Sequence, residues 1–186
     1  TGGSGQFAEV KIRFEPGETG SGVQWVDEVT GGRIPREYIP SVEHAIRTEC
    51  KSGQVAGYEV VDFKAVLLDG KFHEVDSSAL AFEIAGRAAF REAHKLSRPK
   101  LLEPMMRIEV VVDSDYLGDV IGDINRRRGQ VVEQGQKGTS SFVQGFVPLA
   151  EMFGYLSFLR SATSGRGTFT MEFDRYSEVP NSMVEK

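Results

Sequence analysis

Cysteine is almost missing from these 186 residues. Cys50 stands alone, which excludes an internal disulfide and a cysteine-based metal cluster. Histidine is scarce too: His44, His73 and His94 lie far apart on three different expected elements, and a shared metal site would need all three to converge. No apolar run approaches the about 18 residues that a membrane span needs, and no secretory leader is recognisable. The G-x-x-x-x-G-K-[ST], H-E-x-x-H and G-x-S-x-G signatures are absent, so no familiar nucleotide, metalloprotease or hydrolase site is expected. A surplus of positive charge is lacking as well. At a net charge of −5, the chain is not suited to coating nucleic acid non-specifically, and any RNA contact must come from small local patches and shape. What remains, 40% hydrophobic and 26% charged, is an ordinary soluble globular composition, and the lone thiol suits a reducing cytosol. The opening Thr1-Gly2-Gly3, without methionine, reads as a fragment or a trimmed chain.

Hydrophobic periodicity divides the chain in two. Phe7–Phe14 alternates as a half-buried strand, and Val23–Val29 does so again through Trp25. A helix is expected between Pro35 and Gly53 with Val42, Ala45 and Ile46 inward. The valine- and aromatic-rich Tyr58–Leu68 predicts a strand, and Leu80 to Leu96 a second helix. Pro99 and Pro104 then argue against both helix and central strand, which makes Arg98–Pro104 the expected boundary and hinge. Beyond it the order is strand (Met105–Val112), helix (Asp115–Arg128), strands (Val131–Gln134 and Phe142–Val147), helix (Ala150–Thr163 with Phe153, Leu156 and Leu159), strand (Thr168–Phe173). This β-α-β-β-α-β order is the ferredoxin-like motif, a scaffold that decides nothing about function by itself. The fold class expected is α+β in two domains, residues 1–98 and 99–186.

Two places could carry chemistry. The first is the loop around His73, which sets one histidine, two carboxylates (Glu74, Asp76), Val75 and two hydroxyls (Ser77, Ser78) at the mouth of a helix. A helix N-terminus offers unpaired N–H groups and partial positive charge, a setting for an anion or a nucleic-acid backbone. Asp76 and Ser77 are equally the expected N-cap. Gln6 follows the glycine-rich Gly2-Gly3-Ser4-Gly5. Glutamine and histidine both donate and accept, which suits RNA edges and 2′-hydroxyls, although a solvated turn is the simpler reading of Gln6. The same glycines could cradle a phosphate, but they lead into a strand, and phosphate-binding glycine loops open a helix. For His44 and His94 the expectation is ordinary exposed side chains. The second place is Arg126-Arg127-Arg128-Gly129, three cations in a helix's last turn before an expected glycine C-cap. One arginine satisfies the helix dipole, so the surplus points to a phosphate partner, with Arg160 and Arg166 as additions.

The run Lys71-Phe72-His73-Glu74-Val75-Asp76-Ser77-Ser78-Ala79-Leu80-Ala81-Phe82 resembles the tip loop of the fourth domain of bacterial elongation factor G. So do Gly31-Gly32-Arg33-Ile34-Pro35 with Glu37-Tyr38-Ile39-Pro40, Leu101-Leu102-Glu103-Pro104, Gly118–Ile124, Arg126-Arg127-Arg128-Gly129, Glu151-Met152-Phe153-Gly154-Tyr155 and Thr170-Met171-Glu172-Phe173 resemble other landmarks of that family. Together they span the chain as that family's fourth and fifth domains. The resemblance implies a ribosomal-protein-like first domain with a left-handed βαβ crossover and a ferredoxin-like second domain with a shortened final helix. It implies a cytoplasmic, monomeric part of a factor that moves tRNA and mRNA through the ribosome using GTP. The tip loops, Gly2, Gly3, Ser4, Gly5 and Gln6 with His73, Glu74, Val75, Asp76, Ser77 and Ser78, would touch tRNA and mRNA in the decoding site. Arg126, Arg127, Arg128, Arg160 and Arg166 would face large-subunit RNA. GTP and Mg would belong to a GTPase domain that is a partner and not part of this chain, so the chain itself needs no cofactor and no metal and should hydrolyse nothing. Ser4 replaces a common family arginine and Ala8 a common glycine, and the first of these takes a cation from the tip. A recycling paralogue, or an unrelated ferredoxin-like ligand-binding protein, are the alternatives.

Overall fold

Alternation and capping turn the chain into seven strands and five helices over residues 5–184, the part described by the computed structural model. They fall into two compact units, Thr1–Pro99 and Lys100–Lys186. The architecture is α+β in both.

In the first unit, β1 (Glu9–Pro16), β2 (Val23–Asp27) and β3 (Phe63–Lys71) form a sheet in the order β1-β3-β2. β1 pairs with β3 antiparallel, while β2 pairs with β3 in parallel, bridged by α1 (Ile39–Glu49). Ala65, Val66 and Leu67 of the central strand are fully buried, as a strand with neighbours on both sides requires. α1 and α2 (Ala79–Leu96) pack together through small residues. A Cβ on Gly86 would sit only 3.2 Å from Ala45 Cβ and from the Val42 carbonyl oxygen. Val42, Ile46, Phe82 and Phe90 then close the core over the sheet.

Two expectations change here. The strand does not begin at Tyr58, which is 67% exposed; it begins at Phe63, after Asp62 has taken a left-handed turn at φ 59°. His94 is not an exposed histidine but 5% accessible, stacked on Phe90, with its Nε2 accepting the Gln54 backbone N–H at 3.2 Å. His44 lies on α1.

The second unit has a four-stranded antiparallel sheet in the order β5-β6-β4-β7, made of β4 (Leu102–Val112), β5 (Gln130–Lys137), β6 (Ser140–Pro148) and β7 (Thr168–Glu178). α3 (Leu117–Arg126) and α4 (Tyr155–Ala162) cover one face and bury Val120, Ile124, Tyr155 and Leu159 against Ile108, Val110, Val143 and Val147. A short α5 (Asn181–Val184) follows β7. Pro104 does lie inside a central strand, contrary to the expectation from its missing N–H. It is tolerated because β6 pairs only from Met105 onward, so Pro104 has a strand neighbour, Tyr176 of β7, on one side alone. The expected helix over 150–163 is split. A 3-10 turn ends near Glu151, Gly154 turns left-handed at φ 73°, and α4 starts at Tyr155. Phe153 is therefore 82% exposed and Leu156 46%, and Tyr155 takes the core position instead.

Candidate nucleic-acid interface

Residues about 70 apart in sequence meet at one end of the first unit. The Gly5 N–H donates to Asp76 Oδ1 at 2.9 Å, and the Phe7 N–H donates to the Asp76 carbonyl at 2.8 Å. Ser77 Oγ donates to the Phe7 carbonyl at 2.7 Å while accepting the His73 N–H at 2.9 Å. The Ser77 N–H returns to the His73 carbonyl at 3.0 Å, closing a tight turn. Ser78 is the true N-cap of α2. Its φ of −152° is extended, and its Oγ accepts the Ala81 N–H at 3.0 Å. The same hydroxyl donates to Gln6 Oε1 at 3.1 Å. Asp76 and Ser77, expected as caps, lie two residues and one residue too early, and both tie the two loops together. A sequence pattern of D-S-S before a helix fits any of the three; Ser78 takes the cap through its extended backbone and the Ala81 N–H, while partners about 70 residues away engage Asp76 and Ser77.

This lacing leaves His73 on the outside. Its ring lies flat on Phe7, with centroids 3.8 Å apart and planes 9° from parallel, and the residue is exposed. Phe7 thus fixes the ring plane, and the hydrogen bonds fix the backbone beneath it. Val75 projects nearby at 81% exposure, and Glu74 is exposed too. No trio of histidine, cysteine and carboxylates able to hold a metal occurs among the described residues. The tip can therefore present donors, acceptors and a flat ring. Gly2, Gly3 and Ser4 lie outside the described residues.

The arginines of the second unit are placed differently. α3 ends in a Schellman-like turn in which the Gly129 N–H donates to the Ile124 carbonyl and the Arg128 N–H to the Asn125 carbonyl. The left-handed residue is Arg128, φ 59°, and not the glycine. Gly129 is needed for another reason: a Cβ there would meet Ile124 Cγ2 and Val147 Cγ2 at 2.7 Å. Arg128 grips both carboxylate oxygens of Glu103 at 2.8 and 3.0 Å and Glu151 at 2.9 Å, and these contacts hold its guanidinium charge more firmly still. Arg127 bonds the buried Asp123 at 2.6 Å and the backbone carbonyls of Glu151 and Phe153, and lies over the Tyr155 ring. Burial pushes the Tyr155 phenol well above its ordinary range. Arg126, with its side chain 74% exposed, has among the described residues a single ion-pair contact, to Asp123 at 3.7 Å.

Arg166 pairs with Asp113 at 3.1 Å and reaches the Tyr116 hydroxyl, beyond the last residue of β4. Arg128 holds Glu103 at that strand's first residues. At about 3.3 Å per residue, the two clusters sit roughly 30 Å apart, at opposite ends of the sheet. Arg160 is exposed in the last turn of α4, six residues before Arg166. The structure does not bring the five arginines together.

Both units match known proteins. The family model of elongation factor G, domain IV, matches residues 1–98, and that of the elongation factor G C-terminus matches residues 100–186. An elongation factor G of Granulibacter bethesdensis is 53% identical over the whole chain, which spans 27% of that relative. A crystal structure of a Thermus thermophilus protein superposes with a TM-score of 0.87 at 40% identity, covering all of this chain and 28% of that one. The chain thus spans about a quarter of the length of the relatives it matches. An unrelated ferredoxin-like ligand-binding protein is set aside by a match that runs through both units. A fold, two interlaced tip loops and end-to-end likeness converge: this chain belongs to the elongation factor G family.

Proposed function

We propose that this chain is the ribosome-contacting part of a translocating elongation factor, with residues 1–98 as its tip domain and 99–186 as its ferredoxin-like domain. The observation that carries the reading is the laced tip, which holds exposed His73 flat on Phe7 where it can meet a nucleic-acid strand. Gln6 and His73 touch the codon–anticodon helix in the small-subunit decoding site by hydrogen bonding and shape, without acting as acid, base or metal ligand. Ser77, Ser78 and Asp76 position them. Arg126, Arg160 and Arg166, the outward arginines, meet large-subunit RNA, while Arg127 and Arg128 hold the domain together. GTP hydrolysis belongs to a GTPase domain elsewhere in the full factor, which works as a monomer in the cytoplasm.

The test is His73→Ala in a full-length factor carrying this chain. Translocation should slow by about ten- to hundredfold, the equivalent of one lost hydrogen bond to a charged or polar partner, while ribosome-stimulated GTP hydrolysis stays near normal. Equal loss of both would place the defect in docking or folding, and unchanged translocation would remove His73 from the contact.

A further inference from the structure

Beside His73 the first unit has an open concavity lined by Arg33, Gly70, Lys71, Phe72 and His73. Its two cations come from distant segments, and packing fixes that meeting. Ile34 is 1% accessible, and burying it against the end of β3 brings Arg33 along. Gly70 makes this approach possible, since a Cβ there would clash with the Glu9 carbonyl oxygen and sit 2.6 Å from Ile34 Cδ1. Asp69, whose Oδ1 accepts the Gly70 N–H at 2.8 Å, holds Arg33 Nε at 2.7 Å. Lys71 Nζ stands 3.2 Å from Glu9 Oε2.

Each cation is thus oriented but not consumed. Asp69 occupies the Nε of Arg33, and among the described residues no hydrogen bond uses its two terminal nitrogens. Both side chains are more than half exposed, 56% for Arg33 and 60% for Lys71. Ion pairs at such exposure are worth about 0–1 kcal/mol, so an incoming anion competes easily. The planar guanidinium edge and the lysine's free donors are matched to a tetrahedral oxyanion, and the neighbouring acids leave little net charge to attract one from afar. On the C-terminal side of His73, Glu74 and Asp76 repel phosphate. Asp69 and Glu9 are each paired with a cation, whereas no ion pair among the described residues offsets Glu74 or Asp76, so phosphate is favoured on the Arg33 and Lys71 side.

We propose that Arg33 and Lys71 form a phosphate clamp for the RNA strand that His73 contacts, setting its backbone in the concavity and its base or sugar edges toward His73 and Gln6. This rests on the ribosomal reading above and assigns the placement of the strand to two residues that lie outside the contacting segments Gly2–Gln6 and His73–Ser78.

The test is binding of the 186-residue chain to mRNA- and tRNA-programmed ribosomes, measured by fluorescence titration across a salt series. Arg33→Gln with Lys71→Gln should weaken binding by about tenfold or more and lower the slope of log affinity against log salt by about one to two. The exchange Arg33→Lys with Lys71→Arg should keep the parent slope. His73→Ala should weaken binding with the slope unchanged. If the glutamine variant, shown folded by circular dichroism, matches the parent in affinity and slope while His73→Ala is weakened, the clamp alone is overturned. If the parent chain binds no ribosomes, the proposed function fails and the clamp with it.

Discussion

The tip of the first unit and the end of α3 in the second are both helix termini rich in polar side chains, and they use them in opposite ways. At the tip, the side chains that hold the structure are small and uncharged or used through one atom: Ser77, Ser78 and Asp76 tie the loops together, and His73 is left outside. At the end of α3 the structure is held by large cations, Arg127 and Arg128, and Arg126 remains open. A run of three arginines thus does not by itself make a free cationic surface, since two of the three are engaged within the fold. What matters is how many donors are left over after folding.

The largest effect that sharpens this contrast is on stability. Arg127→Ala leaves Asp123 buried without its close partner and frees two backbone carbonyls. It should cost about 3–5 kcal/mol in urea unfolding, against about 0.5 kcal/mol or less for Arg126→Ala. Equal effects of the two would break the distinction between consumed and available arginines.

Next is Ser77→Ala, which removes the hydroxyl shared by the His73 N–H and the Phe7 carbonyl. A loss of about 1–3 kcal/mol is expected, with faster hydrogen exchange at the His73 and Phe7 amides if the two loops part together. Acceleration at only one of them would show that the loops are not one unit. Ser78→Ala, losing the N-cap of α2, should cost about 1 kcal/mol and expose the Ala81 amide.

Much of this was legible in the sequence because the periodic elements follow their own side chains. Val42, Ala45 and Ile46, or Val120 and Ile124, lie inward as the helical period requires. The misreadings occur where a distant partner or a local turn decides. Pro104 is admitted to β4 because β6 stops one residue short of it. His94 goes inside, where it stacks on Phe90 and accepts the Gln54 N–H. Phe153 is thrown out by the left-handed turn at Gly154. Arg127 and Arg128 fold inward onto acids contributed by α3 itself, by β4 and by the turn before α4. The tip residues were visible as a group, but the division of labour among Asp76, Ser77 and Ser78 depends on Gly5, Gln6 and Phe7, about 70 residues away.

The smallest effect is electrostatic and lies on the sheet of the second unit. A hydrogen bond from Lys137, helped by Gln144, holds Glu109 below the usual carboxylate range, and Arg175 with Arg107 does the same for Asp174. Because both folded-state values are depressed, their stabilisation is present above the ordinary carboxylate range and is lost as pH falls through the lowered values. Urea midpoints should therefore decline in that acid window, and Lys137→Met should make the decline shallower. An unchanged pH profile in that variant would show that the Glu109 pair contributes nothing measurable at this exposed site.

The proposed contact between the tip of the first unit and RNA in the decoding site can be tested on the tip itself. Val75, 81% exposed on the tip loop, allows a direct test. A photo-crosslinking residue at position 75, in this chain bound to mRNA- and tRNA-programmed ribosomes, is predicted to join small-subunit decoding-site RNA, mRNA or tRNA. Crosslinks solely to large-subunit RNA or ribosomal proteins far from that site, in a chain that binds normally, would contradict it.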